Sequence, residues 1–330
     1  MTHRLRSGRR WLGLSLKLAI SMSLVWLLLD AVGAGEAWAR MRTADPAWLS
    51  FALAMSFLQG LICALRWQAV LRAIDATLGL WRALKFWYIG AFFNQTLPSS
   101  VGGDVVRGYF AYKDGLSLPQ VLNSLFLDRA ATVLALVVLV TVMTPFVAGD
   151  LEGGAWFQRA VWLALVVALA GLVIVMVMDR LPQGLAKYRV VKALHLLAVD
   201  SRRVLLHPFS GTQLMAWSLI GHVNLALVMW SLFRALGVEV SVLDCTVLFL
   251  PVLLAQILPI SVAGWGVREG AMVAMFTLAG VPGDASVAAS ILFGIVFIVS
   301  SMPGAALWLA TGKRSRAEAE AFAENSGRAR

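Results

Sequence analysis

Residues 95–107 read QTLPSSVGGDVVR, and residues 256–268 read QILPISVAGWGVR, at a constant offset of 161 positions with no gap. Eight of the thirteen positions are identical, among them a proline, a glycine and the final arginine. The same offset relates longer apolar stretches, so we place the repeat units at about 47–148 and 208–309. Because apolar composition alone does not preserve polar residues in register, the chain contains an internal repeat.

The composition is that of a membrane protein. Of the 330 residues, 60% are hydrophobic and 14% are charged, with a mean hydropathy of +0.79, whereas soluble domains are about half apolar and a quarter charged. This excludes a soluble globular protein. Residues 1–312 contain no hydrophilic block large enough to fold separately, so we predict one integral membrane domain and a short charged cytoplasmic tail at 313–330. Cys63 and Cys245 lie in apolar stretches and indicate neither a disulfide nor a zinc site.

The apolar stretches predict an all-α polytopic membrane protein with six full spans. A spanning helix needs about 20 mostly apolar residues, and six stretches qualify: 11–31, 47–65, 125–148, 160–178, 212–233 and 284–310. Residues 86–97 are too few to cross, and 245–280 are interrupted by proline, glycine and charge. We predict re-entrant helical hairpins there, since irregular backbone at membrane depth must be covered by protein or line a wet cavity. Three spans separate the motif copies, which predicts an inverted-topology repeat.

The basic residues orient these spans. With the N-terminus in the cytoplasm, the inside segments carry 22 Lys and Arg while the outside loops carry 4, as the positive-inside rule requires. Basic residues in the inside loops, which orient the protein in the membrane, therefore account for much of the formal charge of +10. The sequence contains no nucleic-acid-binding motif, so we predict no nucleic-acid partner. Both termini are predicted to be cytoplasmic. Residues 37–39 resemble a signal-peptidase site, but they lie well beyond the apolar core that ends near Leu29, which favours an uncleaved first span.

The repeated motif has the chemistry of an anion site. Its proline and glycines can end one half-helix and start another, and the backbone N–H groups left unpaired attract anions. Arg107 and Arg268 follow, and a guanidinium offers a planar fork that suits phosphate. The pattern predicts a phosphate-bearing lipid as partner, an anionic phospholipid or a polyprenyl phosphate. The alternative is a structural ion pair, Arg107 with Asp104 and Arg268 with Glu269 or Asp128.

Further polar and small residues around the motif are candidates for binding a head group, or alternatively for satisfying freed backbone: Asn94, Gln95, Ser100, Gly102, Gly103, Gln256, Ser261, Gly264 and Gly266. Asp128 and Arg129 are a candidate gate or a local ion pair, and Asp104 and Glu269 are candidates for proton coupling. His222 either lines a path or bonds a neighbouring helix. No metal or cofactor motif is present, so we predict no metal and no cofactor.

Three segments resemble the flippase-like transmembrane family, also called the lysylphosphatidylglycerol synthase transmembrane region: 92–109, 124–130 and 258–271. The similarity covers most of residues 10–312 and implies a bacterial inner-membrane protein associated with moving lipids. Its motif elements fall on Asn94, Pro98, Gly102, Gly103, Asp104, Arg107, Asp128, Arg129, Gly264, Gly266, Arg268, Glu269 and Gly270. In MprF proteins a soluble aminoacyl-transferase domain follows this region. Here the chain ends about twenty residues after the last span, so lysyl transfer to phosphatidylglycerol is not expected.

We therefore expect a lipid flippase that works by alternating access and is not an enzyme. Two alternatives stay open. One is a membrane-embedded enzyme that modifies a lipid, with Asp104, Asp128 and Glu269 as its acid and base candidates. The other is a non-transporting scaffold for a lipid- or glycan-synthesising enzyme. The sequence does not indicate an oligomeric state.

Overall fold

A computed structural model describes residues 34–96, 102–149, 151–180, 189–256 and 265–328, and within these ranges the chain is helical with no strand. This confirms the predicted all-α class. The first predicted span, 11–31, lies outside the described residues, and so do Pro98, Ser100, Ser261 and Gly264 of the motif.

The helices are α1 Ala34–Arg42, α2 Pro46–Ala73, α3 Leu80–Thr96, α4 Gly102–Lys113, α5 Leu118–Met143, α6 Gly154–Met176, α7 Arg189–Leu205, α8 Pro208–Ala235, α9 Val242–Ala255, α10 Val267–Thr277 and α11 Gly283–Arg328. A π-helical stretch, Cys245–Phe249, lies within α9. Among the described residues, five helices are long and apolar enough to cross a membrane: α2, α5 with its 3-10 extension to Phe146, α6, α8 and the Gly283–Thr311 part of α11. They correspond to five of the six predicted spans.

Polar caps start several of these helices earlier than the apolar pattern indicates. Asp45 precedes α2 and accepts a hydrogen bond from the Ala47 N–H at 2.7 Å, with proline next in the chain. Ser117 caps α5 through a reciprocal capping box with Gln120. Such caps satisfy the unpaired N–H groups of a first helical turn. The predicted span at 125–148 therefore misses the polar first turns of α5.

The helix bounds follow the offset of the repeated motif. Adding 161 to the first residues of α2 to α5, which are 46, 80, 102 and 118, gives 207, 241, 263 and 279; helices α8 to α11 begin at 208, 242, 267 and 283. Each set has the order long, short, short, long. We call α2–α5 the first copy and α8–α11 the second copy. The re-entrant and inverted character of the short helix pairs stays a prediction.

The two copies pack against one another. Helix α2 runs along α8, α3 packs on α11, and α5 contacts α9. The α3–α11 contact is between backbones, since a Cβ added at Gly304 would lie 2.0 Å from the Tyr88 carbonyl oxygen. Helices α3 and α4 also meet backbone to backbone, because a Cβ at Gly103 would lie 2.0 Å from the Gly90 carbonyl oxygen. Glycine at these positions permits the close approach that positions the motif.

The bundle has two distinguishable ends. At one end, Arg203 pairs with Asp75 at 2.6 Å and Arg82 pairs with Asp114 at 2.8 Å. We call this the basic end, because it gathers the segments predicted to be cytoplasmic. At the opposite end, Arg40 pairs with Asp284, joining α1 to the start of α11. An apolar core fills the opposite end, and a second core packs the basic end around α2, α3 and α5.

Candidate functional site

A cavity of about 790 Å³ lies between the two apolar cores and is lined by both copies. Its charged lining consists of four arginines and two carboxylates, namely Arg66, Arg107, Arg129, Arg268, Asp104 and Asp128. Glu269 lies behind Arg268 and pairs with it, so the charged groups at the cavity carry a net charge of +1. Val175 of α6 and Ser201 of α7 also line the cavity.

The centre of the first copy's charges is Asp128 of α5, of which only 1% is exposed. Arg66 of α2 donates from Nε to Asp128 Oδ1 at 2.7 Å and from Nη2 to Oδ2 at 3.3 Å. Arg107 of α4 donates from Nη2 to Asp128 Oδ2 at 2.8 Å. One buried carboxylate thus holds two buried guanidiniums from two different helices.

A second carboxylate extends this network toward the cavity. Arg129 lies 2.6 Å from Asp104 Oδ2 through Nη2, and half of its side chain is exposed, at 51%. Arg107 Nε lies 3.1 Å from Asp104 Oδ1 without the geometry of a hydrogen bond. We call Arg66, Asp104, Arg107, Asp128 and Arg129 the first cluster. Its three arginines and two aspartates leave a net charge of +1.

The second copy has a smaller and neutral arrangement, which we call the second cluster: Arg268, Glu269 and Ser290. Arg268 Nη2 lies 2.7 Å from Glu269 Oε1, and Arg268 Nε donates to Ser290 Oγ at 2.8 Å. Ser290 in turn donates to Glu269 Oε1 at 2.9 Å. The other oxygen of Glu269 accepts from the Gly266 N–H at 2.6 Å, which caps the start of α10.

A tryptophan supports the motif arginine of each copy. The Arg107 guanidinium lies 4.9 Å from the ring centre of Trp67, and Arg268 lies 4.8 Å from that of Trp265. Trp67 is itself fixed, since its Nε1 donates to Ser124 Oγ at 3.1 Å. Stacking on an aromatic face attracts a cation and fixes the plane of a guanidinium. Both arginines are thereby held in defined orientations beside the cavity.

The ion pairs differ in part from those considered from sequence. Arg107 does contact Asp104 and Arg268 does pair with Glu269, as proposed for the structural alternative. Asp128, however, pairs with Arg66 and Arg107 and not with Arg268. Arg129 pairs with Asp104 and not with its neighbour Asp128, because consecutive helical side chains point about 100° apart.

Sequence reasoning missed Arg66 and Trp67. The inside segment was predicted to start at residue 66, whereas α2 continues to Ala73 and Arg66 is 7% exposed. An arginine within a membrane helix indicates a functional site. Arg66 was not recognised as such a residue because it directly follows the apolar stretch. Trp67, the next residue, is fully buried.

The remaining polar candidates divide into two groups. Asn94 Oδ1 accepts from the Gly103 N–H at 2.8 Å, so it satisfies backbone at the start of α4. Gln95 and Gln256 line the cavity, and Gln256 Nε2 makes no hydrogen bond with a described residue. Gly102 begins α4, and Gly266 has φ of +87°, a region that favours glycine. Ser100, Ser261 and Gly264 lie outside the described residues.

His222 of α8 lines the same cavity and is 3% exposed. Its Nε2 lies 2.8 Å from the Thr132 carbonyl oxygen of α5, so it joins the two copies. Its Nδ1 makes no hydrogen bond with any described residue. Within the described part of the chain, no group of three or more His, Cys, Asp and Glu side chains is placed to hold a metal ion.

The sequence matches a family model described as "Lysylphosphatidylglycerol synthase TM region" over residues 14–304. Two proteins of Methanothermobacter thermautotrophicus, each named "UPF0104 membrane protein", are similar to it. One is 22% identical over 302 residues, which is 84% of this chain and 89% of the relative. The other is 22% identical over 325 residues, which is 87% of this chain and 89% of the relative.

Proposed function

We propose, since the chain belongs to the lysylphosphatidylglycerol synthase TM region family, that it moves an anionic, phosphate-bearing lipid between the leaflets of a membrane. The observation that carries the proposal is the charge of the cavity. Four arginines from both copies line it, and the three carboxylates that pair with them, Asp104, Asp128 and Glu269, leave a net charge of +1. A buried cavity with excess positive charge attracts an anionic group, and its apolar surroundings suit the lipid that carries this group.

Free donor groups on the arginines support phosphate as that anionic group. A guanidinium has five N–H donors, and the ion pairs described above use Nε and Nη2. No hydrogen bond joins Nη1 of Arg107, Arg129 or Arg268 to a described residue. These donors can bind phosphate oxygens while the ion pairs persist. Arg129 is suited to contact the incoming phosphate first, because half of its side chain is exposed.

The position of the cavity supports alternating access. It is lined by both copies and lies between the two apolar cores. We propose that the α3–α4 and α9–α10 pairs are re-entrant and enter the membrane from opposite faces, as inverted repeats do. Rocking of one copy against the other along the α2–α8 contact then exposes the arginines to the other leaflet. We place both termini in the cytoplasm and the chain in the inner membrane.

A carrier is favoured over a lipid-modifying enzyme by the state of the carboxylates. Asp104, Asp128 and Glu269 were the acid and base candidates, and each is paired with at least one arginine. A carboxylate held by a guanidinium is a poor general base, since proton uptake has to break the ion pair. We propose on this ground that the chain is not an enzyme and that membrane lipids are its partners.

The test is leaflet exchange of fluorescent phospholipids in proteoliposomes. We expect anionic phosphatidylglycerol to exchange faster than in empty liposomes, and Arg107→Ala and Arg268→Ala to abolish this gain. Arg82→Ala is the matched control, because it removes an arginine from an exposed ion pair that does not line the cavity. Exchange at the rate of empty liposomes for every lipid, by a folded wild-type protein, would overturn the proposal and favour the scaffold.

A further inference from the structure

Helix α11 has a proline in its interior, Pro303, within the part that is long and apolar enough to cross a membrane. Proline has no N–H, so the Val299 carbonyl, four residues earlier, loses its helical donor. The hydroxyls of Ser300 and Ser301 donate to carbonyl oxygens three residues earlier, at 3.2 and 2.8 Å. Such bonds compete with the backbone ladder and bend helices. The ladder of α11 is therefore weakened in the turn before Pro303.

The half of α11 that precedes Pro303 is bound to the second copy. Ser290 accepts a hydrogen bond from Arg268 Nε of α10 at 2.8 Å. The Phe293 ring lies 5.0 Å from the Phe249 ring of α9. Gly294 leaves room for the motif arginine, since a Cβ there would lie 2.8 Å from Arg268 Nη2. These contacts join the first half of α11 to α9 and α10.

The half that follows Pro303 is bound to α3 of the first copy. Gly304 lies directly against its backbone, since an added Cβ would be 2.0 Å from the Tyr88 carbonyl oxygen. The Trp308 ring meets the Phe93 ring edge to face, with 5.3 Å between the ring centres. Because closely packed surfaces resist sliding, this half of α11 has to follow α3 when α3 moves.

The repeat shows that this second half is an addition. Subtracting the offset of 161 places Pro303 on Val142 and Gly304 on Met143, the last residue of α5. Helix α5 thus ends where α11 passes its proline and continues. The proline stands at the boundary between the part of α11 that has a counterpart in the first copy and the part that packs on α3.

Alternating access requires the two copies to move relative to each other. A rigid α11 would oppose this movement, because its two halves are bound to different copies. We infer that Pro303 is a hinge, at which α11 bends so that its second half moves with α3 while its first half stays with α10. This inference rests on the proposed function and adds the device that permits its conformational change.

The test measures distances between spin labels on pairs of introduced cysteines, in nanodiscs that contain phosphatidylglycerol. Leu309→Cys with Thr277→Cys spans the hinge, since Thr277 ends α10. Leu309→Cys with Leu80→Cys joins the second half of α11 to the start of α3. The three positions are exposed, whereas the native Cys63 and Cys245 are buried, so the introduced cysteines are labelled selectively.

The variant is Pro303→Ala, which restores the backbone N–H and its bond to the Val299 carbonyl. We expect two distances for the pair across the hinge in the wild type and one in the variant. The pair of Leu309→Cys and Leu80→Cys should show one distance in both. Exchange of phosphatidylglycerol should slow about fivefold in the variant, the effect of one hydrogen bond that bending has to break.

Pro46→Ala is the matched control. Pro46 is the first residue of α2, where a backbone N–H has no helical acceptor. This variant also replaces a proline of a spanning helix, but it restores no bond of the ladder. It should change neither the distances nor the exchange rate.

A single wild-type distance across the hinge, or two distances that Pro303→Ala does not change, overturns the inference. Two distances between α3 and the second half of α11 also overturn it, because that half then does not follow α3. In each case, exchange of phosphatidylglycerol above empty liposomes leaves the proposed function standing. Two distances across the hinge without such exchange overturn the proposed function and retain the hinge. The wild-type distances decide alone if Pro303→Ala does not fold.

Discussion

The first and second clusters place an arginine at the same position of the repeat but surround it differently. Arg107 belongs to a network that draws on three helices and carries a net charge of +1. Arg268 belongs to a neutral group made within α10 and completed by Ser290 of α11. Both arginines are buried and both stack on a tryptophan. Both copies of the repeat therefore keep the arginine, but the carboxylates that pair with it differ.

The offset of 161 shows where the counter-charges diverged. The position of Asp128 in the first copy is Ala289 in the second, and the position of Asp104 is Trp265. In the second copy the partner of the motif arginine is Glu269, and the equivalent position in the first copy is Gly108. An arginine at membrane depth needs a partner, but the partner can come from any helix that passes nearby. Under the proposed function, the unequal charge makes the first cluster the stronger anion site.

The largest expected effect is that of Asp128→Ala. It leaves two buried guanidiniums, those of Arg66 and Arg107, without their shared carboxylate, and such a loss typically destabilises a fold by about 3–5 kcal/mol. We expect a large fall in the unfolding temperature of the detergent-purified protein. Asp114→Ala, which breaks an exposed pair, should change it little. Equal effects of the two variants would contradict the assignment of Asp128 as the centre of the first cluster.

A smaller effect is expected of Glu269→Gln in the second cluster. The amide oxygen can still accept from the Gly266 N–H, and Arg268 keeps its bond to Ser290, so we expect a loss of about 1–3 kcal/mol. The second cluster then carries +1, like the first. Soluble short-chain phosphatidylglycerol should bind more tightly to this variant in calorimetry, and weaker binding would show that charge does not distinguish the clusters.

Arg129→Gln should separate function from stability. The Arg129 side chain is half exposed, and pairs of this kind contribute below about 1 kcal/mol. The unfolding temperature should therefore stay near that of the wild type. Exchange of anionic lipid should weaken about tenfold at low lipid density, since the most accessible guanidinium is gone. Unchanged exchange would remove Arg129 from the path of the head group.

The smallest effect is expected at the partly exposed pair of Asp179, in the turn after α6, and Arg202 of α7. The hydrogen bond from Arg202 lowers the pKa of the Asp179 carboxyl below its usual value of 3.8. A lowered pKa in the folded state stabilises the fold above the unfolded pKa and loses this effect as the pH falls through the folded pKa. Asp179→Asn should thus lower the unfolding temperature slightly at pH 7, with the difference shrinking below about pH 3.8 and vanishing below the lowered pKa of the folded state. A difference that persists there would point to packing and not charge.

Much of the fold follows from local pattern. Apolar runs of spanning length and the offset between QTLPSSVGGDVVR and QILPISVAGWGVR predicted an all-helical membrane protein with related halves. Five of the six predicted spans are helices of spanning length and composition. The motif also singled out both arginines, because the chemistry of an intramembrane guanidinium does not depend on the details of packing. The start of α5 was less well predicted, since its polar cap Ser117 lies outside the apolar run.

The pairing of charges that are distant in the sequence was decided by tertiary structure alone. Arg66 and Asp128 are 62 positions apart, and Ser290 lies 22 positions from Arg268. Which of these groups meet depends on the depth and angle at which the helices cross. The sequence by itself determined that cations stand inside the membrane region. Only packing decided that the first cluster carries a net positive charge beside the cavity. Electrostatic interaction depends on distance in space and not on distance along the chain.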